Sequence, residues 1–304
     1  METFKVLFGN VYSLLQLWKL TWSEMSKNIR VAVLMAVHNR WELTQALLSK
    51  IIAENSSLKL CIHIVDDGSV DGTQEKLLGE SSINYIRTDG SLFWASSMKI
   101  AQDSVSEPVD YLLWLNNDVS PADDFLNRIL DSVKLFPDSI LVGQTSDPIT
   151  NLITYGGIKR IGRHPHRLQL IDSQEKYDTV DTFCGNIVLI PNKVNISLGG
   201  IDGEYEHGFA DYDFGYRARK MGFDIRVIPG FLGTCSLNPA LPISWNPLKN
   251  LRIMTSQKYL PIRSQILFCK RHGGPEWPIY FLTPYIRTLL KLKRLKSSRI
   301  TAGF

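Results

Sequence analysis

The stretch "YLLWLNNDVSPADDFLNRILDSVKLF", residues 111–136, decides how the rest of the chain is read. It opens on an apolar run, breaks into Asn116, Asn117 and Asp118, then resumes with apolar residues at helical spacing. A continuous apolar run suits a strand covered on both faces, and the pattern after it suits a helix. Ser120 reads as that helix's cap and Pro121 as its first residue. The unit is strand, polar edge, helix. In open α/β sheets, ligands bind beyond the carboxyl ends of the strands, where this polar edge falls.

The same unit recurs to either side. Residues 31–37 (VAVLMAV) are an apolar run followed by helical spacing in 39–52. "LKLCIHIVDDGS" (58–69) is a strand ending in acids, and "DGTQEKLL" (71–78) opens a helix. Residues 83–87 form a short strand, 94–105 a helix and 139–145 a further strand. This alternation predicts an α/β fold with a doubly wound, mainly parallel sheet. Beyond residue 150 the pattern changes. "NLITYGGIKRIG" (151–162) reads as a strand pair about a glycine turn, and 162–178 as a polar loop. "DTVDTFCGNIVLIPN" (178–192) is strand again, 209–223 helix and 224–230 a last strand, predicting a small mixed sheet beside the large one.

Composition narrows the class. The 304 residues can bury a full core. No run of ~18 apolar residues predicts a membrane span, and the N-terminus lacks the charge and cleavage pattern of a secretory signal. Cys61, Cys184, Cys235 and Cys269 are far apart without a CxxC pair, which fits a reducing cytosol and argues against disulfides or a zinc site. The net charge of +4 hides an asymmetry. Residues 1–239 hold 22 Lys/Arg and 29 Asp/Glu, a balance of −7; residues 240–304 hold 12 Lys/Arg and only Glu276, a balance of +11. A basic end on an acidic body suggests an anionic partner. No nucleic-acid motif accompanies it.

Three constellations carry chemistry. "VDDGSVDGT" (65–73) places acids and a glycine at a strand end, either a tight connection or a place where a carboxylate meets a nucleobase. Asp118, flanked by amides, is either a turn residue or a ligand for a hard cation shared with phosphates. In "GFADYDFGYRARKMG" (208–222), Asp211 and Asp213 lie two apart and cannot share a helix face, so one can cap the helix and the other act as a base. Arg217 stands four beyond Asp213, the spacing of an ordinary intrahelical pair.

Taken in order, "VLMAVHNR", "IVDDGSVDGT", "LFWASSMKIA", "YLLWLNNDVSP", "FCGNIVLI", "GGID" and "ADYDFGYRARKMG" resemble the inverting family 2 glycosyltransferases, which have the GT-A fold. The nearest subgroup is that of bacterial rhamnosyltransferases. The resemblance spans roughly residues 30–230. It implies transfer of a sugar from a nucleotide-diphosphate sugar, such as dTDP-rhamnose or a UDP-sugar, to a glycan or lipid-linked acceptor in bacterial polysaccharide assembly. It implies Asp211 as catalytic base. It places Ala36, Val37, His38, Arg40, Asp67 and Asn117 at the nucleotide, with Asp67 on the base. Trp94, Asn116, Asp213 and Arg217 fall by donor sugar or acceptor, and Asp118 binds Mg2+ or Mn2+. The family's leading Glu is Ala210 here, the first acid of its Asp-x-Asp motif is Asn116, and "PGFLGTCSLNP" offers no late histidine. A catalytically degenerate nucleotide-sugar-binding or scaffold protein of the same fold is the alternative. A nicotinamide-dependent enzyme is excluded by the absence of glycine in "VLMAVHNRWEL".

These readings divide the chain into an amphipathic helix (1–28), a catalytic domain (29–238) and a basic, partly helical extension (239–304). Phe4, Leu7, Phe8, Val11, Leu14, Leu15, Trp18 and Trp22 share one face of the first helix, and Arg287, Lys291, Lys293, Arg294, Lys296 and Arg299 lie in the tail. Both suit an anionic membrane surface and a cytoplasmic, peripheral location at the inner face of the cell membrane. Packing on the protein's own core, or on a second copy in a homo-oligomer, is the alternative.

Overall fold

Strand β1 (Arg30–Val37) shows why the apolar runs are continuous. Val31, Val33, Met35 and Val37 enter one core, while Ala32 and Leu34 enter another on the opposite face. The computed structural model that reveals this describes residues 29–54, 56–205, 208–238, 247–256 and 261–287. The expected helix over 1–28 and residues 288–304 of the basic tail lie outside the described residues.

In chain order the elements are β1, α1 (Trp41–Ala53), β2 (Lys59–Asp67), α2 (Thr73–Leu77), β3 (Ile83–Thr88), α3 (Phe93–Asp103) and β4 (Tyr111–Leu115). There follow β5 (Ser120–Pro121), α4 (Phe125–Leu135), β6 (Ile140–Ser146), β7 (Ile153–Tyr155), β8 (Gly157–Arg160), β9 (Leu168–Leu170) and β10 (Thr182–Phe183). The remainder comprises β11 (Ile187–Pro191), α5 (Asn192–Leu198), α6 (Ala210–Lys220), β12 (Ile225–Thr234), α7 (Pro247–Met254) and α8 (Ile262–His272). Residues 277–287 are also helical.

The large sheet has the order β3-β2-β1-β4-β11-β6-β12-β5, with β7 paired to β6. Strands β3, β2, β1 and β4 run parallel, as do β6 and β12. Strand β11 runs antiparallel between β4 and β6. A small antiparallel sheet, β10-β8-β9, stands apart. Helices α1 and α4 cover one face of the large sheet with Leu47, Leu48, Ile51, Phe125, Ile129 and Val133. On the other face, α3, α6 and α8 bring Ala95, Met98, Phe214 and Phe268.

Three local expectations are corrected. Ser120 and Pro121 do not begin a helix: they pair antiparallel with Thr234 and Gly233, and the Ala122 N–H goes to the Leu232 carbonyl at 2.8 Å. Backbone groups committed to that ladder cannot turn into a helix, so α4 starts at Phe125. Strands β7 and β8 do not form a hairpin across their glycines, because β7 joins the large sheet and β8 the small one. The polar stretch 162–178 is not wholly loop, since β9 closes the small sheet within it.

Helix α8 is fastened to α6 by a buried ion cluster. The Asp213 carboxylate is fully buried. It accepts hydrogen bonds from Arg217 Nε (2.6 Å), His272 Nε2 (2.7 Å), Arg271 Nη1 (2.9 Å) and the Tyr205 hydroxyl (3.1 Å). Burial pushes this carboxyl up, but the His272 hydrogen bond and the Arg217 charge outweigh it and hold the group at about 2. A folded-state value below the ordinary 3.8 means that the cluster's contribution is complete above that pH and lost as pH falls toward about 2. Asp213→Asn leaves buried cations uncompensated and should destabilise the protein by ~3–5 kcal/mol at neutral pH. Urea denaturation of both forms should show that gap, closing between pH ~4 and ~2; an unchanged gap at the acid end contradicts this account.

Candidate active site

The loops after β1 and β2 are laced to each other. Asn39 adopts a left-handed conformation (φ 50), its N–H donates to Ser69 Oγ at 2.8 Å, and its side-chain oxygen accepts the Val70 N–H at 2.7 Å. Asp71 holds two helix starts, taking the Trp41 N–H on one oxygen and the Thr73 N–H and hydroxyl on the other. Asp66 is fully buried and accepts from the Ser69 N–H (2.9 Å) and the Tyr85 hydroxyl (2.7 Å). At Gly68 (φ 71), any side chain would meet the Gly90 backbone at 2.7 Å, so glycine alone lets the loops after β2 and β3 touch.

This lacing changes the standing of Asp67, expected on the nucleobase. Its carboxylate accepts from the Thr88 hydroxyl (2.8 Å), the Leu92 N–H (3.1 and 3.3 Å) and the Phe93 N–H (2.9 Å), and the residue is 7% exposed. Both oxygens are occupied in fixing the entry to α3. The Asp67 backbone carbonyl accepts the His38 Nδ1–H at 2.5 Å. His38 itself is exposed at the end of β1, with its other ring nitrogen facing Asn39 Nδ2 at 2.9 Å. Ala36 is half-buried and Val37 buried behind it.

The end of β4 places its three polar residues in three directions. Asn116 accepts the indole N–H of Trp94 at 2.8 Å, and its own N–H reaches the Asn186 carbonyl at 3.0 Å. Asn117, expected at the nucleotide, is buried instead and donates to Thr44 Oγ1 at 3.0 Å, steadying the start of α1. Asp118 is partly exposed and accepts the Arg40 guanidinium at 2.7 Å through Oδ2. Its Oδ1 is buried with no hydrogen-bond partner among the described residues. The neighbouring Cys235 thiol is pushed up to about 12 by burial and by the Asp118 carboxylate, and donates to the Ser236 carbonyl. One carboxylate with an uncommitted buried oxygen fits a hard divalent cation that draws its other ligands from phosphate and water.

Asp211 lies in the first turn of α6. Its Oδ2 accepts the Gly185 N–H at 3.0 Å and its Oδ1 accepts the Tyr212 N–H at 2.9 Å. Burial pushes the carboxyl up to about 6 in spite of those two hydrogen bonds. A side chain at Gly185 would strike the Trp94 ring at 2.7 Å, so the glycine lets that indole lie against the backbone. The adjacent residues Gly185 and Asn186 thus tie Asp211, Trp94 and Asn116 into one wall. Asp213 and Arg217, expected beside donor or acceptor, point away from that wall. Asp213 is buried in the α8 cluster, and Arg217 also donates to the Leu198 and Gly200 carbonyls at 2.8 and 2.9 Å. Sequence reasoning missed the Gly185 contact, although "FCGN" carried its signal, and missed the Arg40–Asp118 pair, which joins residues 78 apart.

The glycosyl transferase family 2 model matches residues 32–199, more than half of the chain. No curated protein matches it. Among solved structures, the fold is similar to that of S. aureus TarS 1-349 (TM-score 0.54, 10% identity), covering 88% of this chain and 73% of that one. It is also similar to GalNAc-T7 crystallised with UDP, GalNAc and Mn2+ (0.55, 13%, 84% of this chain, 55% of that one). A third likeness is to the mannosyltransferase PcManGT of Pyrobaculum calidifontis in complex with GDP-Man and Mn2+ (0.51, 17%, 91% and 76%).

Proposed function

The chain belongs to glycosyl transferase family 2, and from that premise we propose that it transfers a sugar from a nucleotide-diphosphate sugar to an acceptor hydroxyl with inversion. The observation that carries this reading is Asp211: a desolvated carboxylate at the wall made by Trp94, Gly185 and Asn116. Asp211 takes the acceptor's hydroxyl proton, the acceptor oxygen bonds to the anomeric carbon, and the bond from that carbon to the diphosphate breaks on the opposite face. A carboxylate titrating near 6 is largely ionised at neutral pH and still basic enough to accept a proton in the transition state. Trp94 and Asn116 orient the sugar. Ala36, Val37 and His38 line the nucleotide, with Asp67 positioning them through its carbonyl. Arg40 and Asp118 meet the diphosphate. Asp118 would hold a divalent cation, Mn2+ or Mg2+, which when bound would supply charge stabilisation of the leaving diphosphate. Mn2+ and nucleotide or nucleotide-sugar ligands in two structural neighbours support that assignment.

The subgroup resemblance supports dTDP-rhamnose or a UDP-sugar as donor and bacterial polysaccharide as product. The exposed side chains of Ile279, Leu282 and Ile286, at helical spacing in 277–287 and followed by a basic sequence, support docking on the inner face of an anionic membrane that presents a lipid-linked acceptor. Among the described residues no helix is long and apolar enough to cross a membrane.

Asp211→Asn should keep donor binding and lose ~10²–10⁴-fold in turnover. In the parent enzyme, kcat/KM should rise with pH to a plateau through an apparent pKa of about 6, because Asp211 works deprotonated. Near-normal turnover by the variant, or a flat acid limb in the parent, removes Asp211 from the mechanism. Turnover on no acceptor, with intact donor binding, would instead mark a degenerate binding protein.

Asp118→Ala should weaken nucleoside-diphosphate binding by more than it weakens nucleoside binding, as read by calorimetry, and chelator should abolish transfer. Full activity in excess chelator assigns the leaving group to Arg40 and its neighbours alone. Anionic vesicles at low salt should pull down the full-length protein and release it at high salt. Protein that stays in the supernatant rules out the membrane reading.

A further inference from the structure

Far from the catalytic wall, the structure gathers Cys61, His63 and Glu107, whose sulfur, nitrogen and oxygen atoms all lie within 4.8 Å of one another. Cys61 and His63 stand two apart on β2 and therefore project from the same face. Glu107 arrives from the turn after α3. Cys61 is six residues before Asp67, on the order of 20 Å back along the strand from the catalytic end.

The hydrogen-bond arrangement at His63 leaves room for a cation. Its Nδ1 lies 2.8 Å from Ser104 Oγ, and that hydroxyl donates its own hydrogen to the Ala101 carbonyl at 2.8 Å. The serine oxygen is left as an acceptor, so the ring proton of a neutral imidazole sits on Nδ1. The lone pair on Nε2 then faces Glu107 Oε1 at 3.3 Å, a donorless contact between two electron-rich atoms. In that arrangement a second ring proton or a metal ion stands between them; with the Ser104 hydroxyl turned to Nδ1 instead, Nε2–H donates to Glu107. The Cys61 thiol borders the same carboxylate and supplies a third, softer ligand.

We propose that Cys61, His63 and Glu107 form a zinc site, with water in the fourth position. A mixed sulfur, nitrogen and oxygen set is one that Zn2+ accepts in tetrahedral geometry. Bonds of ~2.0–2.3 Å place ligand atoms ~3.3–3.8 Å apart, the range in which the His63–Glu107 contact already falls. His63 is 2% exposed while the Glu107 side chain is 39% exposed, giving a rigid inner ligand, an open outer one and a route for entry. Ser104 supports His63 from behind in the way that outer partners hold metal-binding imidazoles. The ion would fasten β2 to the turn after α3, the helix whose other end carries Trp94. The wide sequence spacing of the four cysteines, read above as evidence against zinc, says nothing against a site with only one of them.

The test uses the full-length protein carrying Asp118→Ala and Cys235→Ser, which removes one other place where a thiol and a carboxylate adjoin. After stripping with chelator, Co2+ should give a thiolate-to-cobalt charge-transfer band with tetrahedral visible bands, and Zn2+ should bleach both. Cys61→Ser should abolish the charge-transfer band. Glu107→Gln, a near-isosteric change at a side chain 39% exposed, should weaken binding at least 10-fold, and Ser104→Ala by ~10–100-fold. Zn2+ should also raise the melting temperature of the stripped protein. Absence of the band, or a band indifferent to Glu107→Gln, overturns the site. So does a doubly protonated His63 ring in the metal-free protein, seen by NMR, that Zn2+ does not alter.

Discussion

Burial of one indole fixes the geometry of the catalytic wall. Trp114, in the middle of β4, is 0% exposed and meets three rings edge-on: Trp94 of α3 (5.8 Å between centroids), Phe183 of β10 (6.1 Å) and Phe214 of α6 (5.0 Å). Each partner belongs to an element that contributes to the site. Trp94 meets Asn116, Phe183 lies two residues before Gly185, and Phe214 lies three after Asp211. The Trp114 Nε1–H has no partner among the described residues, a burial that costs ~1–3 kcal/mol. A phenylalanine would avoid that cost but would be too small to touch all three rings at once. The indole is kept for its shape.

The same helix then sets two aspartates to opposite tasks. Asp211 and Asp213 are two residues apart, so α6 turns them to different sides. Asp211 meets only backbone N–H groups and a desolvating wall, and titrates near 6. Asp213 meets His272, Arg217 and Arg271 and is held at about 2. Proton transfer needs the first environment and structural anchoring the second. Environments that drive two carboxylates apart in this way separate the proposed base from the structural carboxylate more firmly than their order in the sequence could.

Much of the fold was legible because burial on two faces leaves a plain record: runs such as 31–37 and 111–115 admit few other readings. Strand direction leaves no such record. The apolar run of β11 looks the same parallel or antiparallel, and only its pairing with Leu115 and Val142 reveals that it reverses. Ser120 and Pro121 carry the signature of a helix start, yet tertiary pairing with Gly233 and Thr234 takes their backbone first. At the proposed site, residue types at strand ends marked the sheet edge where β1, β2 and β4 end. What each side chain does there depended on partners remote in sequence: Arg40 for Asp118, Gly185 for Asp211, and Leu92 and Phe93 for Asp67. The Asn117 contact with Thr44 was not legible, because an amide at a strand end looks the same whether it faces solvent or a neighbouring helix.

The C-terminal segment is joined to the catalytic helix by charge as well as by packing. Phe268 stacks on Phe209 with centroids 5.0 Å apart, next to the turn that leads into Asp211. Arg271 and His272 supply two of the three cationic or ring-nitrogen partners of Asp213. Without residues 262–272, Asp213 would keep Arg217 but lose the rest of its compensation while still enclosed by α6 and Tyr205. A buried carboxylate in that state strains the helix that bears the base. The ion cluster therefore joins residues on both sides of position 238 and holds α8 against the helix that carries Asp211.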